Sequence, residues 1–333
     1  MANEMGPAGR IGISAAAVAA LVLGACAAEP EAQSDGAASE IIPEILMNGE
    51  RLFPESITSD AAGNIYIGSN PGVIYRARRG AETAEEWAVP SADNGLQSVF
   101  GVLADDARGL LWVCSNPNTL VQPPQTGPAS LKAFTLDDGM LHASYDFPAD
   151  AGPSLCNDMA IADNGDIYAS DTTGGRVFKL TDGGETLEIF AADEEFATID
   201  GIAIAEDGTI YINAIQRNTL VRVNVDAGGN FTDSTVLTLS REVAGPDGLR
   251  PLGGNRFLQS EGNSGLITVV TIDGDNAEIE TIAEGIDYAS SVTEVDGRAF
   301  YPEGKLSYLF DPNKQMEDPG EFRVRNVAIP AAE

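Results

Sequence analysis

Six stretches decide how this 333-residue chain is read: FPESITSDAAGNIYIGS from Phe53, VFGVLADDARGLLWVCS from Val99, LCNDMAIADNGDIYASD from Leu155, TIDGIAIAEDGTIYINA from Thr198, GPDGLRPLGGNRFLQSE from Gly245 and YASSVTEVDGRAFYPEG from Tyr288. Each has an apolar or ligand-like start, a Gly-containing acidic turn and an aromatic-centred strand, so one unit recurs along the chain. In equivalent places stand Tyr66, Trp112, Tyr168, Tyr211, Phe257 and Phe300, one aromatic per unit to fill the space between stacked sheets. A second hairpin follows, as in GRVFKL-TDGGE-TLEIFA from Gly175, where a turn separates short alternating runs. Four strands per unit result. Equivalent starts lie about 45 residues apart, the length of a propeller blade. One longer gap holds VQPPQTGPAS, a Pro/Gly-rich surface loop over residues 121–130. The expectation is an all-β fold over residues 42–333: a six-bladed β-propeller with four-stranded blades around a central channel. A β-sandwich would explain short strands but not a strict repeat with one ligand-like position per copy.

In a propeller the first strand of each blade lines the channel, so residues at one phase of the repeat meet around the axis. That ring reads Glu55, Phe100, Asn157, Asp200, Asp247 and Ser291. Three carboxylates so close repel one another unless a cation or protons sit among them. Oxygen donors without His or Cys favour Ca²⁺ or Mg²⁺ over Zn²⁺, and a roomy ring completed by waters suits Ca²⁺. Asp and Asn are also common where a loop enters a strand, so Asp200-Gly201 and Asp247-Gly248 also read as plain turn residues. Antiparallel pairing brings the ends of the second strands to the same face. This makes Asn70, Asn116, Asp171, Asn213, Glu261 and Glu303 pocket-rim candidates, with a solvated polar rim as the simpler alternative.

The N-terminus reads as a processing signal: Arg10 precedes an apolar run, residues 11–23, too short to span a membrane. Leu23-Gly24-Ala25-Cys26 resembles the lipobox of bacterial lipoproteins, which implies cleavage before Cys26 and lipidation of its thiol. Ala27 after it resembles lipoproteins sorted to the outer membrane. Residues 27–41 have almost nothing to bury and read as a flexible tether. The net charge of −32 excludes nucleic acid and anionic headgroups as partners, leaving membrane contact to the lipid alone. A salt-rich habitat explains such acidity equally well. Cys114 and Cys156 are the other thiols, and an oxidising compartment permits them to pair without requiring it.

PESI at Pro54, CNDMAIADNGDIYASD at Cys156, IDGIAIAEDGTIYI at Ile199 and PDGL at Pro246 resemble the metal-binding blades of the SMP-30/gluconolactonase family and its paraoxonase-like relatives. Carried over by motif, the resemblance implies Glu55, Asn157, Asp200 and Asp247 as ligands of Ca²⁺, or alternatively Mg²⁺, Mn²⁺ or Zn²⁺, that binds a lactone or ester at the channel mouth. The stretch from Asp106 to Phe147 is similar to yellow/royal-jelly propellers, which implies a non-catalytic ligand-binding alternative. Gluconolactonases of this type carry an Arg two residues before the blade-three Asn to hold a sugar acid. Leu155 stands there instead, and with Phe100 it argues for a more apolar substrate. Paraoxonase-like enzymes use a His pair and streptogramin lyases a channel His, whereas His142 falls on an outer hairpin. The expected function is hydrolysis of a small-molecule lactone or ester by a monomer, with Asp247 as base and ligand together and Glu55 second. Phe100, Asn116, Leu155, Asp171, Asn213 and Glu261 would line the pocket.

Overall fold

The structure, a computed structural model, describes residues 43–331. The chain enters through β1 (Ile45–Met47) and builds a first four-stranded set, β2 (Pro54–Ser59), β3 (Ile65–Ser69), β4 (Ile74–Ala77) and β5 (Thr83–Ala88). The second sheet is β6 (Ser98–Asp105), β7 (Leu110–Asn116), β8 (Ser130–Thr135) and β9 (Leu141–Asp146). The third is β10 (Cys156–Ile161), β11 (Ile167–Asp171), β12 (Arg176–Leu180) and β13 (Glu188–Ala192); the fourth is β14 (Ile199–Ile204), β15 (Ile210–Ala214), β16 (Thr219–Val225) and β17 (Phe231–Val236). In the fifth, a two-residue β18 (Thr238–Leu239) pairs in parallel with the outer strand of β19 (Pro246–Gly253), β20 (Arg256–Glu261), β21 (Leu266–Asp273) and β22 (Asn276–Ala283). Last come β23 (Thr293–Val295), β24 (Arg298–Pro302) and β25 (Phe322–Ala328).

Strand β1 joins the two ends of the chain. It pairs antiparallel with β25 (Leu46↔Arg323) and in parallel with β5 (Leu46↔Thr83). One eight-stranded sheet, β2-β3-β4-β5-β1-β25-β24-β23, is the result, so the hydrogen-bonded sheets among the described residues number five. The inner strands pack against one another in the order β2, β6, β10, β14, β19, and β2 also meets β23. Burial falls off outward along each sheet. β11 and β15 are buried at every residue because sheets cover both their faces, whereas β9, at an outer edge, alternates along LHASYD. The hairpins between first and second strands turn on glycines such as Gly165 (φ 89°) and Gly208 (φ 86°), where a side chain would be strained.

Register assigns the aromatic positions. Tyr66, Trp112, Tyr168, Tyr211 and Phe300 pair with Thr58, Leu103, Ala160, Ala203 and Thr293, which are equivalent positions. In the fifth copy the residue at that phase, opposite Arg250, is Leu258, while Phe257 pairs with Pro251. Phe257 therefore corrects the expectation. A one-residue slip turns a side chain to the other face of the sheet, and Phe257 packs back on Tyr211 of the preceding sheet, ring centroids 5.4 Å apart. Cys114 of β7 and Cys156 of β10 form a disulfide, tying the second sheet to the third.

Candidate functional site

The inner strands all break register near their starts. β2 shifts between Pro54 and Ser56 and leaves Glu55 unpaired; β6 shifts between Val99 and Val102 around Phe100. β10, β14 and β19 do the same at Asn157-Asp158, Asp200-Gly201 and Asp247-Gly248. A bulge frees a residue from the ladder and re-aims its side chain, so the repeat's ligand-like position is the first bulged residue. In the sixth copy Ala289 bridges Glu303 and Thr293 pairs with Phe300, which places Ser290 at the ring position and corrects Ser291 by one residue. Ser290 Oγ donates to the Pro54 carbonyl at 3.1 Å, linking last and first copies.

Glu55, Asn157, Asp200 and Asp247 are each 4–6% exposed. Asn157 Nδ2 donates to Asp200 Oδ2 at 2.9 Å and to Thr172 Oγ1 at 2.9 Å. Asp200 and Asp247 are close enough to share a proton. Burial pushes Asp200 up to about 7, and the charge of Asp158 adds to it. Asp247 is raised well above the usual carboxylate range by burial and then by Asp200 and Glu55. Glu55 is raised by burial, Asp200 and Asp158, against a lowering by Arg250. Burial and the charges of Asp247, Asp200 and Glu55 also hold the Tyr288 phenol up, which puts it beside the ring.

Asp158, Arg250 and Tyr288 are parts of this site that the repeat reading missed. Arg250 Nη1 and Nη2 donate to the two oxygens of Asp158 at 2.6 and 2.9 Å, a buried bidentate pair. The sequence did carry a signal. Where the other copies have Ser56, Gly101, Gly201, Gly248 and Ser291, the third has Asp158. Where they have Thr58, Leu103, Ala160, Ala203 and Thr293, the fifth has Arg250.

The rim candidates are spent on the fold. Asn116 donates to the Cys156 carbonyl at 2.6 Å and accepts from its N–H at 2.9 Å. Asn213 accepts from Gly201 N–H at 2.8 Å and donates to the Asp247 carbonyl at 2.7 Å. Asp171 accepts from Leu155 N–H and pairs with Arg176, both at 2.8 Å; Glu261 pairs with Arg241 at 2.7 Å. Glu303 pairs with Arg325 at 3.2 Å, and Asn70 accepts from Ser98 Oγ at 3.3 Å. Asn116 and Asn213 thus fasten the bulged segments to neighbouring sheets rather than face a ligand. Phe100, partly buried, packs against the cluster holding Cys114, Cys156 and Met159, and Leu155 is partly buried beside Cys156. His142 is exposed on β9, beside a cleft with Trp112 and Tyr145.

Among the described residues no three His, Cys, Asp or Glu side chains form a ready-made metal cluster. The donor chemistry nevertheless fits a hard divalent cation. Glu55, Asn157, Asp200 and Asp247 offer only oxygen and one amide, their charges are buried together, and Arg250 is committed to Asp158. Ser291 Oγ, beside the ring at Gly248, is buried without a hydrogen-bond partner.

The strictosidine synthase-like, N-terminal family matches residues 43–77, a segment that includes Glu55. No curated protein matches the chain. Among solved structures, a luciferin-regenerating enzyme aligns with a TM-score of 0.61 at 14% identity, over 85% of this chain and 95% of that one. A calcium-binding regucalcin from Agrobacterium tumefaciens aligns at 0.58 and 14%, over 86% and 97%. A gluconolactonase from Xanthomonas campestris aligns at 0.57 and 16%, over 83% and 87%. At such identities the likeness is one of fold, a β-propeller, and it agrees with the SMP-30/gluconolactonase resemblance in the motifs.

Proposed function

We propose that this chain is a metal-dependent hydrolase of a lactone or ester, with Ca²⁺ as the cation. The observation that carries the reading is the burial of Glu55, Asn157, Asp200 and Asp247 at equivalent bulges of four inner strands. These four residues would hold the ion. A bound divalent cation supplies a Lewis acid that polarises a carbonyl and stabilises the developing oxyanion. Asp247 would accept the proton of the attacking water, as a carboxylate within reach of the ion's bound water. Tyr288, whose phenol feels the charge of Asp247, would help to orient it, and Glu55 is the second carboxylate able to take that proton. Fold neighbours described as a gluconolactonase and a calcium-binding regucalcin support the reading.

The propeller is read as six-bladed by counting the eight-stranded sheet as two blades, β2-β3-β4-β5 and β23-β24-β25-β1, hydrogen-bonded through β1 and β5. The repeat supports that count.

A panel of lactones and esters tests the activity. Hydrolysis should be lost in chelator and restored by Ca²⁺, and Asp247→Asn should lower kcat by about 10²–10⁴, the usual worth of a general base. A panel with no turnover, alongside calcium binding, would instead favour the ligand-binding alternative.

Export and anchoring are proposed from Cys26, which lies outside the described residues, as do the signal and the tether. Cys26→Ser should move the protein from the membrane fraction to the soluble one without changing its melting temperature. Equal membrane retention of both forms would refute lipidation.

A further inference from the structure

Arg250 reaches across the inside of the ring. From β19 it passes β14 to grip Asp158 of β10, and its Nη2 also donates to the Val102 carbonyl of β6 at 3.3 Å. Nη1 makes a further bond to its own neighbour's carbonyl, Leu249 O, at 2.9 Å. Arg250 is 6% exposed and Asp158 4%. The planar guanidinium fork matches a carboxylate in a way a lysine ammonium does not. Both residues are departures from the repeat, in the third and fifth copies, and each departure is the other's partner.

We propose that Arg250 acts as a resident cation of the channel. By neutralising Asp158 it takes the place to which a second divalent ion would be drawn, and so leaves the ring of Glu55, Asn157, Asp200 and Asp247 to hold one. The inference rests on the cation site proposed above. Without the guanidinium, Asp158 would be a bare buried charge beside three other carboxylates, and buried charges without partners are strongly unfavourable. A proton or a second Ca²⁺ is the remedy, and saturating Ca²⁺ displaces the proton. Without Asp158, the guanidinium would instead stand unopposed next to the ring and repel the ion there.

Calorimetric titration of the full chain with Ca²⁺ alone reads both effects. Wild type should bind one ion. Arg250→Met should bind two, and the Asp158→Asn/Arg250→Met double variant should return to one. Asp158→Asn, with Arg250 retained, should bind one ion about tenfold more weakly than wild type. If Arg250→Met folds only when Ca²⁺ is present, its ion content after gel filtration in Ca²⁺ gives the same count. One ion in Arg250→Met would overturn the proposal, as would unchanged affinity in Asp158→Asn. Two ions in wild type would overturn it while sparing the cation site. A wild type that binds none would overturn both.

Discussion

Glu55, Asp200 and Asp247 sit where burial opposes their charge, and this gives the apo protein a pH dependence of definite sign. Their ordinary values are 4.5 for Glu55 and 3.8 for the aspartates, and all three are raised on folding, Asp200 to about 7. The native chain therefore holds more protons than the unfolded one between those limits. Stability that is fully present below the ordinary values is lost as pH rises through the folded ones. In chelator the melting temperature should fall between about pH 5 and 7, and saturating Ca²⁺ should abolish the fall by replacing protons with a cation. A melting temperature that climbs through that window in chelator would contradict the assignment. At this scale the four proposed ligands were legible because the repeat gives each the same neighbours. Asp158 and Arg250 stand out in the sequence only as departures from the repeat, and their pairing was not legible because it joins distant copies across the ring. Tyr288 was hidden for a different reason: its phenol reaches Asp247 from a position that Phe53, Thr198 and Gly245 occupy elsewhere, and nothing in its own copy marks it as polar in function.

Strands close this fold at one place, where β1 lies between β25 and β5. Ile45 and Met47 point inward there and are nearly fully buried, in one cluster with Phe322 and Val324. Met47→Ala should cost about 2–5 kcal/mol in urea unfolding, the range for emptying a core site. Glu85→Ala, on the exposed face of β5, should stay within about 0.5 kcal/mol. Equal effects would mean that β1 does not fasten the ends of the chain. The second hairpins were readable from Asp-Gly turns and alternating runs. Two register details were not, since bulges change the pairing without changing the pattern of residues. Phe257 follows a turn whose bulge lies between Pro251 and Gly253, and it faces the opposite way from the other aromatics. Asn116 ends β7 and Asn213 lies one residue before the end of β15, yet one lies opposite Ser98 while the other falls within a bulge, and both amides are drawn into backbone bonds.

Taken whole, the molecule places a knot of buried carboxylates at the axis of a chain that already carries a formal charge of −32. Such a field raises the local concentration of cations around the protein. Surface charge attracts them loosely, whereas the ring would hold one ion by defined ligands, and the two contributions separate on mutation. Ca²⁺ bound only to native protein raises the melting temperature with concentration. The most direct measurement compares that shift in wild type, Asp200→Ala and Asp207→Ala, the last being an inter-strand turn residue whose carboxylate accepts from Thr209 N–H at 2.9 Å. Asp200→Ala should be more stable than wild type in chelator, because a like-charge neighbour is gone, and should gain much less from Ca²⁺. Asp207→Ala should shift as wild type does. If wild type and Asp200→Ala rise by the same amount across the Ca²⁺ series, the ring does not hold the metal, and the hydrolase reading built on it fails.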